Sequence, residues 1–148
     1  MQLVIVPNAR PIARPWYASV AAVTATLTGI MAIPVGLMFV TDPSGAGLGL
    51  PHGWIEGTPF GSYFVPGLYL LFANGLGMLI LAALILRRHW IAPWLSAILG
   101  VGLIIWILVQ FAVMPETMVL QWIFLSVGLF HGFVALFWLR GTGQLRVW

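Results

Sequence analysis

The chain has 148 residues, of which 61% are hydrophobic and only 6% charged, with a mean hydropathy of +1.06. A soluble domain carries about 25% charged residues, so this composition excludes an ordinary soluble fold and implies a single integral membrane domain, residues 1–148. The net charge of +3 comes from six arginines and no lysine; they stand singly or in one pair at helix ends, not in a stripe interleaved with aromatics, which excludes a nucleic-acid surface.

Residues 1–15 form a short arm with an apolar start, then Pro7, Pro11 and Pro15 around Arg10 and Arg14. Prolines at that spacing block a continuous helix, and the arm could lie in the interface or pack on a neighbour. Residues 16–40 are the first expected span. At ~1.5 Å per residue this run exceeds a hydrocarbon core of ~30 Å, so tilt or a kink is expected, with Pro34 as the kink. Ala21, Ala25 and Gly29 recur four residues apart, a small-residue stripe that lets helices approach closely. Thr24, Thr26 and Thr28 can each bond back to their own helix.

Residues 41–62 are the one long connection. Asp42-Pro43-Ser44-Gly45 has turn chemistry, and glycines and prolines punctuate the rest, while Trp54, Ile55 and Phe60 suit an interface. The expectation is a compact lid rather than a flexible linker. Further spans are expected at 63–86, with Pro66 tolerated in the first turn, at 94–114, stopped by Pro115, and at 118–139. The short connections between the last three make them antiparallel neighbours. The predicted fold is therefore all-α, a four-helix transmembrane bundle with an extracytoplasmic loop between helices 1 and 2.

Four spans put both termini and the 87–93 turn on one side. That side holds Arg10, Arg14, Arg87, Arg88, Arg140 and Arg146, while Asp42, Glu56 and Glu116 fall on the other. Positive residues accumulate on the cytoplasmic side, which predicts cytoplasmic termini and an outer loop. No cleavable signal peptide is expected, because the apolar run after Arg14 is too long for one. The absence of cysteine removes disulfides, thiol redox chemistry, Cys-ligated zinc and iron–sulfur clusters.

The stretches DPSGAGLG, WIEGTPF and VPGLYLLFANGLG, with Trp106 and Gln110 after them, resemble an uncharacterised family of small bacterial four-helix integral membrane proteins. There is a looser likeness, in size and helix count, to DoxX-like proteins. The resemblance implies the fold and a bacterial cytoplasmic membrane, and it brings no activity with it.

Polar side chains inside a membrane are the default place to look for function. Asn74 and His131 fall near the midplane, with Thr28 at similar depth. His131 sits within the G-x-x-x-G of Gly128 and Gly132, so it could serve a polar ligand pocket or a proton step. It could equally be an interhelical hydrogen bond worth roughly 0.6–2 kcal/mol. Gly102, Trp106 and Gln110 share one face of the third helix at four-residue spacing; with Gln121 beside them and His52 and Glu56 above, they could line a cavity open to the outside. Against that, both glutamines lie near helix ends, where water could satisfy them. His52 and Glu56 stand four apart, as an acid–base pair or two metal ligands would, with Asp42 as the third group at hand. His52, His89 and His131 lie at outer, inner and middle depths, so no two can ligate one haem. No phosphate-binding loop or nucleophile elbow occurs.

Three functions remain in view. The first is a non-enzymatic accessory or assembly subunit of a membrane complex, in contact with other subunits or a second copy. The second is a binder or carrier of a small hydrophobic ligand, a lipid or quinone, near Asn74, Trp106, Gln110, Gln121 and His131. The third is a membrane-embedded enzyme using Asp42, His52 and Glu56. No cofactor or metal is expected.

Overall fold

The computed structural model describes residues 11–144; residues 1–10, with Pro7 and Arg10, and residues 145–148, with Arg146 and Trp148, lie outside the described residues, as does the side chain of His52. The described chain is all-helical, with no strand. Its four long helices are α1 (Trp16–Thr41), α2 (Phe64–Leu86), α3 (Ala92–Val113) and α4 (Val119–Gly141), each long and apolar enough to cross a membrane. Hydrocarbon offers no partner to a free amide, so a spanning segment must satisfy its backbone internally, and the helix does this. Prolines mark the ends: Pro66 and Pro93 occupy first turns, and α3 stops just before Pro115. The helix α1 runs unbroken through Pro34.

The helices pack as two close pairs, α1 with α2 and α3 with α4, and the pairs meet less intimately. Glycine is what lets each pair close. A Cβ added at Gly36 would lie 2.7 Å from the Leu71 backbone nitrogen, and one at Gly67 would lie 2.6 Å from Phe39 Cβ. Across the second pair, a Cβ at Gly100 would fall 2.9 Å from the Gly128 carbonyl oxygen. In the G-x-x-x-G of α4 both glycine backbones approach Gly100, whose added Cβ would also lie 2.9 Å from the Gly132 nitrogen, but a Cβ at Gly132 itself would meet nothing within 4 Å. Ala18, Ala21 and Ala25 extend the tight face of α1, all fully buried. Outward-facing Val23, Leu27, Ile98, Ile105 and Phe133 are exposed, as a surface solvated by lipid requires.

The two ends of the bundle differ. At one end the described part of the arm, residues 11–15, settles on its own chain, a choice the sequence leaves open. Ile12 is buried and its N–H donates to the Arg88 carbonyl at 3.0 Å, while Trp138 Nε1 donates to the Ala13 carbonyl at 2.9 Å. Arg14, Arg87, Arg88 and Arg140 gather here. The other end carries Asp42, Glu56 and Glu116 on the 42–63 connection and the turn after α3. That connection folds through two single turns of 3₁₀ helix, Ala46–Leu48 and His52–Trp54. Tyr63 fastens it: its N–H reaches the Pro43 carbonyl at 3.0 Å, its hydroxyl the Pro51 carbonyl at 3.3 Å, and its ring stacks on Phe39 at 4.9 Å. Gly45 has φ 77°, and a Cβ there would strike the Tyr63 ring at 2.7 Å. Ile55 and Tyr63 are buried beneath the connection, so a second small apolar core lies at this end, apart from the main one around Ala21, Met78, Leu103 and Trp138.

If backbone proximity holds the pairs, Gly36→Ala and Gly100→Ala each cost about 1–3 kcal/mol through overpacking. Gly132→Ala is neutral or gains up to ~1 kcal/mol in helix propensity. Denaturant titration of the three variants in one detergent checks this; equal losses at all three positions would contradict it.

Candidate functional site

Between the two cores lies a cavity of about 220 Å³, in the half of the bundle nearest the 42–63 connection. Its floor includes Leu103 and Ile107 of the main core, and its roof comes from Leu50, Ile55, Phe60 and Tyr63 of the connection. The walls are the facing sides of the two helix pairs. The cavity exists because the pairs are tight internally and splay from each other toward this end.

The lining is apolar except for a few groups, and three of those are without partners. Asn74 is 2% exposed, takes no side-chain hydrogen bond among the described residues, and has its Oδ1 buried with nothing to accept from. It sits on the π-helical stretch Leu70–Gly77 in the middle of α2. Such wide turns are uncommon and often found at functional sites. Trp106 Nε1 is likewise buried and unpaired. The Trp106 ring is held by stacking on Tyr69 at 4.7 Å, and Gly102, one turn away, makes room for the Tyr69 hydroxyl, 2.9 Å from where a Cβ would stand. Thr28 is the third: Thr24 and Thr26 bond back to Ala21 and Ala22, whereas the buried Thr28 makes no side-chain hydrogen bond among the described residues. A buried polar group left unsatisfied costs roughly 1–3 kcal/mol. The Asn74 Oδ1 and Trp106 Nε1 atoms, on two residues that border one apolar cavity, are such a cost to the fold, and the Thr28 hydroxyl stands beside them without a partner among the described residues.

Gln110 and Gln121 also line this cavity, but they are settled. Gln121 is 4% exposed; its Nε2 donates to Gln110 Oε1 at 3.2 Å, and its Oε1 accepts the Met118 N–H at 2.9 Å. It thus ties α3 to α4 and caps the start of α4.

His131 does not line the cavity. It is fully buried nearer the arginine end, with Nδ1 3.1 Å from Ser96 Oγ and Nε2 3.2 Å from Thr24 Oγ1. Ser96 and Thr24 also reach the His131 and Ala21 carbonyls, each at 3.1 Å, so both hydroxyls sit between a ring nitrogen and a backbone acceptor, and which of them accepts from the ring follows its tautomer. The imidazole is therefore a satisfied tie among α1, α3 and α4. The single polar layer expected to join Asn74 to His131 is two layers. Ser96 goes unnoticed in sequence because it is one small hydroxyl in an apolar helix. The available signal is its position four residues before Gly100, opposite His131 once Gly100 is paired with Gly128.

The loop acids have structural surroundings. Asp42 Oδ1 accepts from the Ser44 hydroxyl at 2.5 Å and the Ser44 N–H at 3.2 Å, and Oδ2 accepts the Gly47 N–H at 2.9 Å. Its carboxylate organises the first turn of the connection. Glu56 is exposed. Among the described residues no three His, Asp or Glu side chains come together in a way that could hold a metal.

Comparison with protein-family models, with curated proteins and with solved structures finds no match.

The Ser44 hydroxyl, and after it the Gly47 N–H, hold the Asp42 carboxyl below its ordinary value of 3.8. A depressed folded-state value means the turn is fully supported above the ordinary value and loses that support as pH falls through the depressed one. Protease cleavage within 44–61 is therefore expected to be slow at neutral pH and to quicken only in strong acid. Asp42→Asn should quicken it at neutral pH; unchanged cleavage in that variant would remove Asp42 from this role.

Proposed function

We propose that this chain is a small integral membrane protein that binds or carries a small hydrophobic ligand, of the lipid or quinone kind, in the cavity between its helix pairs. One observation carries the reading: an apolar cavity of about 220 Å³ bordered by Thr28, Asn74 and Trp106, whose polar groups have no partner among the described residues. Soluble or membrane, a fold keeps buried polar groups paired, and a ligand bearing hydrogen-bonding groups supplies what the chain does not. An accessory-subunit role would need a docking surface, and a loop enzyme would need a free Asp42; the supporting observations converge instead on the cavity.

The orientation belongs to the same reading. Arg14, Arg87, Arg88 and Arg140 lie at one end and the three acids at the other, which supports a cytoplasmic arginine end in a bacterial plasma membrane and an outward-facing 42–63 connection. The natural chain has no cysteine, so labelling is direct. Gly57→Cys is expected to react with an impermeant maleimide on intact cells, and Thr142→Cys only after permeabilisation. The reverse pattern would invert the topology.

The ligand reading has its own test. Native mass spectrometry of protein released from its own membranes is expected to show the chain with a retained small adduct. Asn74→Leu is expected to lose that adduct while raising the stability of the stripped protein by about 1–3 kcal/mol, since it removes an unpaired polar group and adds apolar volume. A bare wild-type chain, or a stripped Asn74→Leu protein that is less stable than wild type, would contradict the proposal.

A further inference from the structure

We infer that the ligand is a neutral amphiphile with an oxygen head, a carbonyl or a hydroxyl, whose head sits at Thr28, Asn74 and Trp106 while its hydrocarbon tail leaves the protein sideways, between α1 and α4, into the leaflet beside the 42–63 connection. This rests on the reading of the cavity as a ligand site and specifies what fills it.

The charge of the head follows from the lining. Among the described residues no Asp, Glu, Lys, Arg or His side chain borders the cavity. An ionised head would enter a low-dielectric space without a counter-charge, a far larger penalty than any hydrogen bond there could offset. Phosphate, carboxylate and ammonium heads are thereby excluded. The polarity of the head follows from the unpaired atoms. Trp106 Nε1 can only donate, so the head must carry an acceptor. The Asn74 amide offers both a donor and an acceptor, and the Thr28 hydroxyl does too, so either a carbonyl or a hydroxyl oxygen completes the set.

The size of the cavity fixes where the tail goes. An engineered cavity of ~150 Å³ holds benzene, whereas pockets that enclose a whole drug-sized molecule run to roughly 300–1,000 Å³. At about 220 Å³ this one takes a head and a few carbons. The rest must lie outside, and the wall is incomplete where Met31 of α1, 51% exposed, and Leu120 of α4, 48% exposed, both border the cavity. The helices α1 and α4 meet less closely than either does with its own partner. Roofed by Leu50, Ile55 and Phe60, the cavity is screened from water at the end of the bundle and open toward lipid at its side.

A set of ten- and eleven-carbon probes that differ in the head tests this. Wild type and the Asn74→Leu/Trp106→Phe double variant are placed in nanodiscs of ether-linked phosphatidylcholine, so that the bilayer brings no carbonyl of its own. Unfolding midpoints are followed against n-decane, 2-undecanone, 1-decanol, decanoate at pH 8 and decyltrimethylammonium. The expected result is that 2-undecanone and 1-decanol raise the wild-type midpoint at about one tenth of the n-decane concentration, and that this preference vanishes in the double variant. Decanoate and decyltrimethylammonium are expected to raise neither. The single variant Asn74→Leu, expected to keep part of the preference, stands in if the double variant does not fold. 2-Heptadecanone is expected to match 2-undecanone, since the added tail lies in the leaflet; its exclusion would overturn the sideways exit. Equal stabilisation by the ionised probes, or an oxygen-head preference that survives in the double variant, would overturn the assignment of the head. Equal response to n-decane and the oxygen-headed probes would also overturn it while leaving a hydrophobic site in place. No response to any probe, n-decane included, would bring down the ligand site itself.

Discussion

A polar group in hydrocarbon has no water to fall back on, and this chain is arranged almost throughout around that constraint. Its backbone is helical wherever it crosses, and its intramembrane side chains pair with close neighbours: Thr26 with its own helix, His131 with Ser96 and Thr24, Gln121 with Gln110 and the first turn of α4. Against that background stand the buried, unpaired Asn74 Oδ1, Trp94 Nε1 and Trp106 Nε1, of which Asn74 and Trp106 border the cavity. The fold keeps them in an apolar cavity without partners, and a fold under no demand at that place would be more stable with leucine and phenylalanine there.

The cavity is a product of how the helices pack. Without a hydrophobic drive between helices in lipid, close contact has to come from van der Waals fit, which glycine and alanine permit. Gly36 and Gly67 draw α1 onto α2, and Gly100 and Gly128 draw α3 onto α4. The small stripe of α1 also lets Met78, Leu81 and Ile85 fill the arginine-rich half densely. Toward the other end larger, looser side chains such as Met31, Met114 and Met118 surround the space, and the Tyr63–Phe39 stack props the connection over it. One half of the bundle is thus densely packed and the other encloses the cavity.

Much of the architecture is legible in the residues. Long apolar runs broken by Pro43, Pro93 and Pro115 delimit the helices, and the four-residue spacing of Gly102, Trp106 and Gln110 does describe one face, with Tyr69 over Gly102 and Trp106 and with Gln121 on Gln110. Other features are hidden for physical reasons. Nothing in LLFANGLG distinguishes a π-helical stretch from an α-helical one, because hydrophobic periodicity is nearly the same over eight residues. Thr24 and Thr28 are identical by type and near in sequence, yet one is tied to His131 and the other left open; only the rotation of α1 against α2 and α4 decides which. Depth along a helix is readable from sequence to about a turn, too coarse to separate the Asn74 layer from the His131 layer.

Occupancy of the cavity between the helix pairs, the central proposal, is tested most directly by a cryo-electron microscopy or crystal density map of the protein in a lipid environment. The expected result is non-protein density within hydrogen-bonding distance of both the Asn74 amide and Trp106 Nε1, continuing as a tail between α1 and α4. A map in which Asn74 and Trp106 turn to partners within the chain, and the helix pairs close the space between them, would contradict it.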